Sequence, residues 1–216
     1  MSAADAELLA ALRAVELPTL GHFLEDGFCG QELRPVNHGP QLVGRARTLD
    51  LTSPDAYAVN RALLALEAGE VLVIRVAGRG HAPVGAVTAH AAIARGAAGI
   101  VVDGPVTDAS ALREVQDRLP VFATGLTART TKRSGAMAGD ADGGLDRAIE
   151  VAGVTVRPGD LVLGDAQGVL VLPPAGPDPA VLSAALASDA AEPELLARIA
   201  AGEPLDTLLA TADPAL

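Results

Sequence analysis

Two carboxylates stand five positions apart in Asp103-Gly104-Pro105-Val106-Thr107-Asp108, directly after the apolar β-branched run Ile100-Val101-Val102. In α/β folds ligands gather at the carboxyl ends of strands, where loops and helix starts converge. Asp108 therefore falls where a hard, oxygen-seeking cation could be held. It also directly precedes Ala109-Ser110-Ala111-Leu112, so the same side chain could instead cap the helix that begins there. Asp103-Gly104 is a common turn pair and reads as the start of a glycine loop.

The elements that must position these residues are legible on either side. Gly85 opens an alanine-rich helix that ends at Gly96, and its small side chains let a sheet approach closely. The next segment, Ile100 to Val102, has the pattern of a strand buried on both faces. Upstream, helices are expected over Ala3–Ala14, Leu20–Asp26 and Asp55–Glu67, and strands over Leu42–Leu51 and Val71–Val76. Gly78-Arg79-Gly80-His81 reads as a flexible loop. Downstream, a helix over Ala109–Arg118 leads to a strand over Pro120–Thr124. An irregular stretch with Lys132 and Arg133 follows, then a strand over Ile149–Val156. Leu161–Leu163 and Val169–Leu172 read as a hairpin, and after a proline-rich connector come two helices, Val181–Ala191 and Glu194–Ala201. Parallel-type strands alternate with helices early, and antiparallel strands come late. This predicts an α/β domain whose sheet has helices on one side and further β structure on the other. We read residues 1–174 as that domain and 175–216 as a helical extension.

The chain has 216 residues and a net charge of −11, and only 2% of its residues are aromatic. Its core must come from Ala, Val and Leu. The acidic balance argues against nucleic acid and against anionic membranes as partners. A single cysteine, Cys29, leaves no internal disulfide and fits a reducing, cytoplasmic setting; it reads as a small apolar filler. No signal peptide and no bilayer-spanning run is visible.

Taken in order, LVGRART (42–48), AGEVLVI (68–74), Gly85 with its alanine helix, ARGAAGIVVDG (94–104), LPVFATG (119–125) and VRPGDLVLGDAQGVLVLP (156–173) resemble one family. It is that of the regulator of ribonuclease E activity A and the class II 4-hydroxy-4-methyl-2-oxoglutarate aldolases, whose members are often mislabelled demethylmenaquinone methyltransferases. The resemblance implies a swivelling β/β/α fold (RraA-like) with terminal helices. It further implies a homotrimer or dimer of trimers, with the site between subunits. There Mg²⁺ or Mn²⁺ would polarise a small 2-oxo acid and stabilise the pyruvate enolate. The residue matching the family's metal-binding Asp is Asp108. The family's substrate-gripping Arg is here Thr107, which offers neither a fork nor a charge. Its outer acid after the glycine is here Ala86. The backbone N–H groups from Gly85 through Ala86, Val87 and Thr88 can still bind a carboxylate at a helix start. Arg79 and His81 lie in the loop before Gly85 and could face the same region, His81 as a general base or ligand or simply as an exposed loop residue. His90, early in the alanine helix, reads as a packing or interface residue.

Three functions follow. The first is a divergent metal-dependent lyase, aldolase or decarboxylase, acting on a small carboxylate, with Asp108 on the metal and Arg79 or His81 in place of the missing Arg. The second is a metal-independent lyase or isomerase on the same scaffold, dependent on His81 or His90. The third is a non-enzymatic regulator that binds a protein partner.

Overall fold

The computed structural model describes residues 3–131 and 144–209. Its centre is a seven-stranded mixed sheet of order β1-β5-β4-β3-β2-β8-β9. The strands are β1 (Arg34–Pro35), β2 (Leu42–Leu51), β3 (Glu70–Val76), β4 (Gly99–Val106), β5 (Val121–Leu126), β8 (Leu161–Asp165) and β9 (Gly168–Leu172). β2 through β5 run parallel, while β1, β8 and β9 pair antiparallel with their neighbours. The Arg34 guanidinium donates to the Gln167 carbonyl at 3.0 Å, so the two edges of the sheet approach each other.

Crossovers between parallel strands are helical, as right-handed β–α–β units require. α3 (Ala56–Ala65), α4 (Ala86–Ala94) and α5 (Ala109–Glu114) cover one face. They bury Leu49, Leu72, Ile74, Ile100 and Val102 against Ala62, Ala89, Ala92 and Leu112. The alanines of α4 set the close spacing, since Ala89 and Ala92 are fully buried. The opposite face packs Val71, Val73, Val101 and Phe122 against a hairpin of β6 (Ile149–Val151) and β7 (Val154–Val156). Helices on one side and β structure on the other are what the sequence predicts. A third apolar cluster joins β8 and β9 to α1 (Ala3–Arg13), α2 (Leu17–Leu20) and α6 (Pro179–Ala200). A short α7 (Leu205–Leu208) follows.

Several expectations are corrected. β4 does not end at Val102; it continues through Asp103-Gly104-Pro105 to Val106, every residue buried. A register shift between Val102 and Pro105 absorbs the glycine and proline as a bulge. Asp103-Gly104 is thus strand and not turn. Residues 149–156 form a hairpin, because Ala152 and Gly153 take positive φ of 43° and 86° and reverse the chain. The early helix lies at Leu17–Leu20, opened by Pro18 in its first turn. The C-terminal helices are one, continuous through Pro193. Its first half is held by Leu182, Ala185 and Leu186, and Asp189 accepts from the Glu16 N–H and the Thr19 hydroxyl. Lys132 and Arg133 lie outside the described residues. No helix among the described residues is long and apolar enough to cross a membrane.

Candidate functional site

The parallel strands deliver β4 and β5 to one edge of the sheet, and α4 begins there. Thr107 donates its N–H to the Val84 carbonyl at 2.9 Å, and Thr127 donates to the Val106 carbonyl at 3.0 Å. Three chain segments therefore meet side by side around the start of α4.

Asp108 occupies the position before α5, yet its side chain makes no cap to that helix. It turns back instead, and its Oδ2 accepts the Ala86 N–H at 2.9 Å. The turn requires a left-handed backbone, φ 55° and ψ 45°, which costs a non-glycine residue on the order of 1 kcal/mol. The carboxylate thus complements the positive end of α4. Gly85 makes this possible through space, not flexibility. A Cβ there would lie 2.5 Å from Asp108 Oδ2 and 2.7 Å from Thr107 Cγ2. Thr107 presents its hydroxyl to Asp108 Oδ1 at a long 3.5 Å. The N–H groups of Val87 and Thr88 have no acceptor among the described residues, and Val87 is 84% exposed. His90 adds a ring contact one turn along, with Nδ1 2.8 Å from the Ala86 carbonyl.

The structure brings Gly85, Ala86, Val87, Thr88, Thr107 and Asp108 together. Arg79 is drawn elsewhere. Its Nη2 lies 2.5 Å from Asp103 Oδ1 and 3.6 Å from Glu32 Oε1. Asp103 points to the β6–β7 face, where its Oδ2 accepts the Ala152 N–H at 3.3 Å. Its Oδ1 is buried with the Arg79 charge beside it but no aligned donor. Arg75, with its guanidinium held above its ordinary range by the hydrogen bonds it donates to Asp50, joins Arg79, Asp103 and Glu150 around an open cleft of about 440 Å³. The cation expected beside Asp108 is therefore committed to Asp103. His81 is half-buried, next to Ala82, which pairs with Thr130.

Among the described residues the carboxylate that accepts a hydrogen bond at the start of α4 is that of Asp108, and no group of three or more His, Cys, Asp or Glu could enclose a metal. The donor set still fits Mg²⁺ or Mn²⁺. Such ions keep several waters and need only one or two carboxylates plus oxygens of the ligand. Asp108 is exposed, and its Oδ1 has only the long Thr107 contact. Sequence reasoning located the acid but missed where its side chain turns.

The RraA-like family, described as Aldolase/RraA, matches residues 10–171 of the chain. A Halalkalibacterium halodurans protein named "Putative 4-hydroxy-4-methyl-2-oxoglutarate aldolase" is 34% identical over 176 residues, covering 80% of each chain. A Thermus thermophilus protein named 4-hydroxy-4-methyl-2-oxoglutarate aldolase is 37% identical over 134 residues, 62% of this chain and 76% of that one. The solved structure described as the RNA-processing inhibitor RraA from Thermus thermophilis superposes with a TM-score of 0.62 at 30% identity, over 73% of this chain and 92% of that one.

Proposed function

Because the chain belongs to the RraA-like family, we propose that it is an aldolase-type carbon–carbon lyase that cleaves a small 2-oxo acid with Mg²⁺ or Mn²⁺ held at Asp108. The observation that carries this reading is the turned-back Asp108 carboxylate. It gives up the capping of α5 and accepts a left-handed backbone to stand at the start of α4. Strain of that kind persists where the surrounding structure over-determines it, and it clusters at working sites. The relatives named as aldolases supply the reaction class.

In this reading the Val87 and Thr88 N–H groups receive the substrate's 2-oxo-acid carboxylate, helped by the helix dipole. Asp108 would hold the cation, with the Ala86 N–H fixing the orientation of its carboxylate. When bound there, Mg²⁺ or Mn²⁺ would supply Lewis-acid stabilisation of negative charge on the 2-oxo oxygen. The Thr107 hydroxyl adds a neutral donor where a charged one would be stronger. His81 carries the proton taken from the alcohol. The assembly we assign is a homotrimer or dimer of trimers. The exposed apolar Val87 and Leu126 beside the site, 84% and 57% exposed, support a covering subunit.

A non-enzymatic regulator is the second reading, favoured by Thr107 in place of a cation and by the commitment of Arg79 to Asp103. Pyruvate release separates the two. Purified protein with Mn²⁺ releases pyruvate from 4-hydroxy-4-methyl-2-oxoglutarate or oxaloacetate, and EDTA abolishes the release. Turnover that survives EDTA would point to metal-independent chemistry. No turnover, with an Asp108→Ala protein still capturing a partner, would leave the regulator.

A further inference from the structure

The cleft at the carboxyl end of β3 contains none of the residues gathered around Asp108. Arg75, Arg79, Asp103 and Glu150 line it beside the small residues Ala77 and Gly78. Its volume of about 440 Å³ falls in the range of small-molecule sites. The carboxyl ends of strands are also where an α/β sheet receives ligands. The four ionisable side chains are two of each sign. A ligand with a single charge is drawn by one pair and repelled by the other. An anion meets, in addition, the chain's net charge of −11.

The hydrogen bonds already made decide what is left for a ligand. Asp50 and Asp103 are the register partners of Arg75 on the two neighbouring strands, so the three side chains stand in one row on one face of the sheet. Arg75 commits Nε and Nη2 to Asp50 at 2.7 and 3.0 Å. Its Nη1 has no partner among the described residues, and its side chain is 34% exposed. Arg79 reaches Asp103 from a left-handed backbone, φ 46°, and does so through Nη2. Its Nε and Nη1 have no partner among the described residues. Asp103 is buried and is committed to Arg79. Glu150 is exposed on β6. Its Oε1 accepts the Thr155 hydroxyl, and its Oε2 accepts nothing among the described residues. The cleft therefore keeps free guanidinium donors from β3 and the turn after it, and a free carboxylate oxygen from β6.

We infer that this cleft binds a small zwitterionic α-amino acid, with its carboxylate on Arg75 and Arg79 and its ammonium on Glu150. Guanidinium N–H groups are matched to a carboxylate, and charge-assisted hydrogen bonds are the strong ones. A ligand that carries both charges satisfies both kinds of free group at once and brings no net charge to an acidic chain. Ala77 and Gly78 leave room for a short side chain such as that of alanine. The site stands independently of the lyase reading, which uses neither Arg75 nor Glu150.

The test is calorimetric titration of L-alanine into the wild type, Glu150→Gln, Arg75→Gln and Asp108→Asn. Propionate and ethylamine, which each lack one of its two charges, are titrated beside it. The wild type should take up L-alanine saturably and bind propionate and ethylamine about 10- to 100-fold more weakly, the worth of one charge-assisted contact. Glu150→Gln and Arg75→Gln should each weaken L-alanine by the same factor. Glu150 is exposed, so its amide keeps the fold even if Arg75→Gln loosens it. Asp108→Asn should bind L-alanine as the wild type does. No uptake by the wild type, equal binding of propionate or ethylamine, or full binding by Glu150→Gln overturns the inference. Uptake lost in Asp108→Asn and kept in Glu150→Gln overturns it too, since it moves the ligand to the start of α4. Pyruvate release from the same protein keeps the two readings apart: turnover without L-alanine uptake leaves the lyase and removes this site.

Discussion

Asp103 and Asp108 leave the same strand five residues apart and meet opposite fates. Asp103 is 7% exposed, pressed among the β6–β7 hairpin residues and tied to Arg79. Asp108 is exposed, with no cation beside it among the described residues, and is steered only by a backbone N–H and a distant hydroxyl. The bulge in β4 separates them. It carries the chain from a face where a charge must be neutralised to an edge where a charge can act. A buried carboxylate that already has its counter-ion has little left to offer a ligand. An open one that a helix start holds in orientation has most of its capacity free. In the proposed lyase the first acid contributes stability and the second chemistry.

Exchanging each acid for its amide tests that division most strongly at Asp108. Asp108→Asn should lower pyruvate release by about 10²- to 10³-fold, the scale of losing a charge from a site that stabilises developing negative charge. Its urea midpoint should move by no more than about 1 kcal/mol equivalent, the worth of one capping contact. Asp103→Asn should do the reverse. With Arg79 left facing an amide, unfolding stability should fall by about 2 kcal/mol, discounted from a fully buried pair because Arg79 is 44% exposed. Per folded molecule its turnover should stay within about threefold, because the residue touches no proposed ligand. If Asp103→Asn kills activity without loosening the fold, the two roles have been assigned the wrong way round.

Gly85→Ala sharpens the account of how Asp108 is placed. The new Cβ must displace either the carboxylate or Thr107, at 2.5 and 2.7 Å. Activity should fall about tenfold, the cost of misplacing a catalytic group. A fully active Gly85→Ala would mean that Asp108 need not sit where it is seen.

The smallest effect is expected on the Asp103 face. Burial, aided by Asp103 and Glu32, pushes the Cys29 thiol up to about 12. A thiol raised in the folded state stabilises below its unfolded pKa and loses that contribution as pH climbs toward the folded one. Wild type should therefore lose about 1 kcal/mol by pH 10 relative to a Cys29→Ala protein that lacks this slope. Parallel stability curves for the two above pH 9 would show that the thiol titrates freely.

Much of the scaffold could be read from residue pattern alone. β2 appears at the expected bounds, Leu42–Leu51, and α4 follows its glycine as expected. Periodicity and small-residue runs are local signals, and these elements obey them. The failures share a cause. Gly104 and Pro105 look like a loop, but tertiary burial and a bulge hold them in β4. Pro193 looks like a break, yet the docked first half of α6 carries the helix through it. At the site, Asp108 was visible as a residue type at a strand end. Its rotation toward Ala86 was not, because the partner lies 22 positions away. The pairing of Arg79 with Asp103 joins a 3₁₀ turn to a strand 24 positions on, which no local pattern encodes.

The account turns on whether the open acid takes a hard cation. Calorimetric titration of Mn²⁺ with oxalate present, into wild type and Asp108→Asn side by side, measures this directly. The account predicts saturable uptake by the wild type and none by Asp108→Asn at equal folded content. No uptake by the wild type, or equal uptake by both proteins, would contradict it.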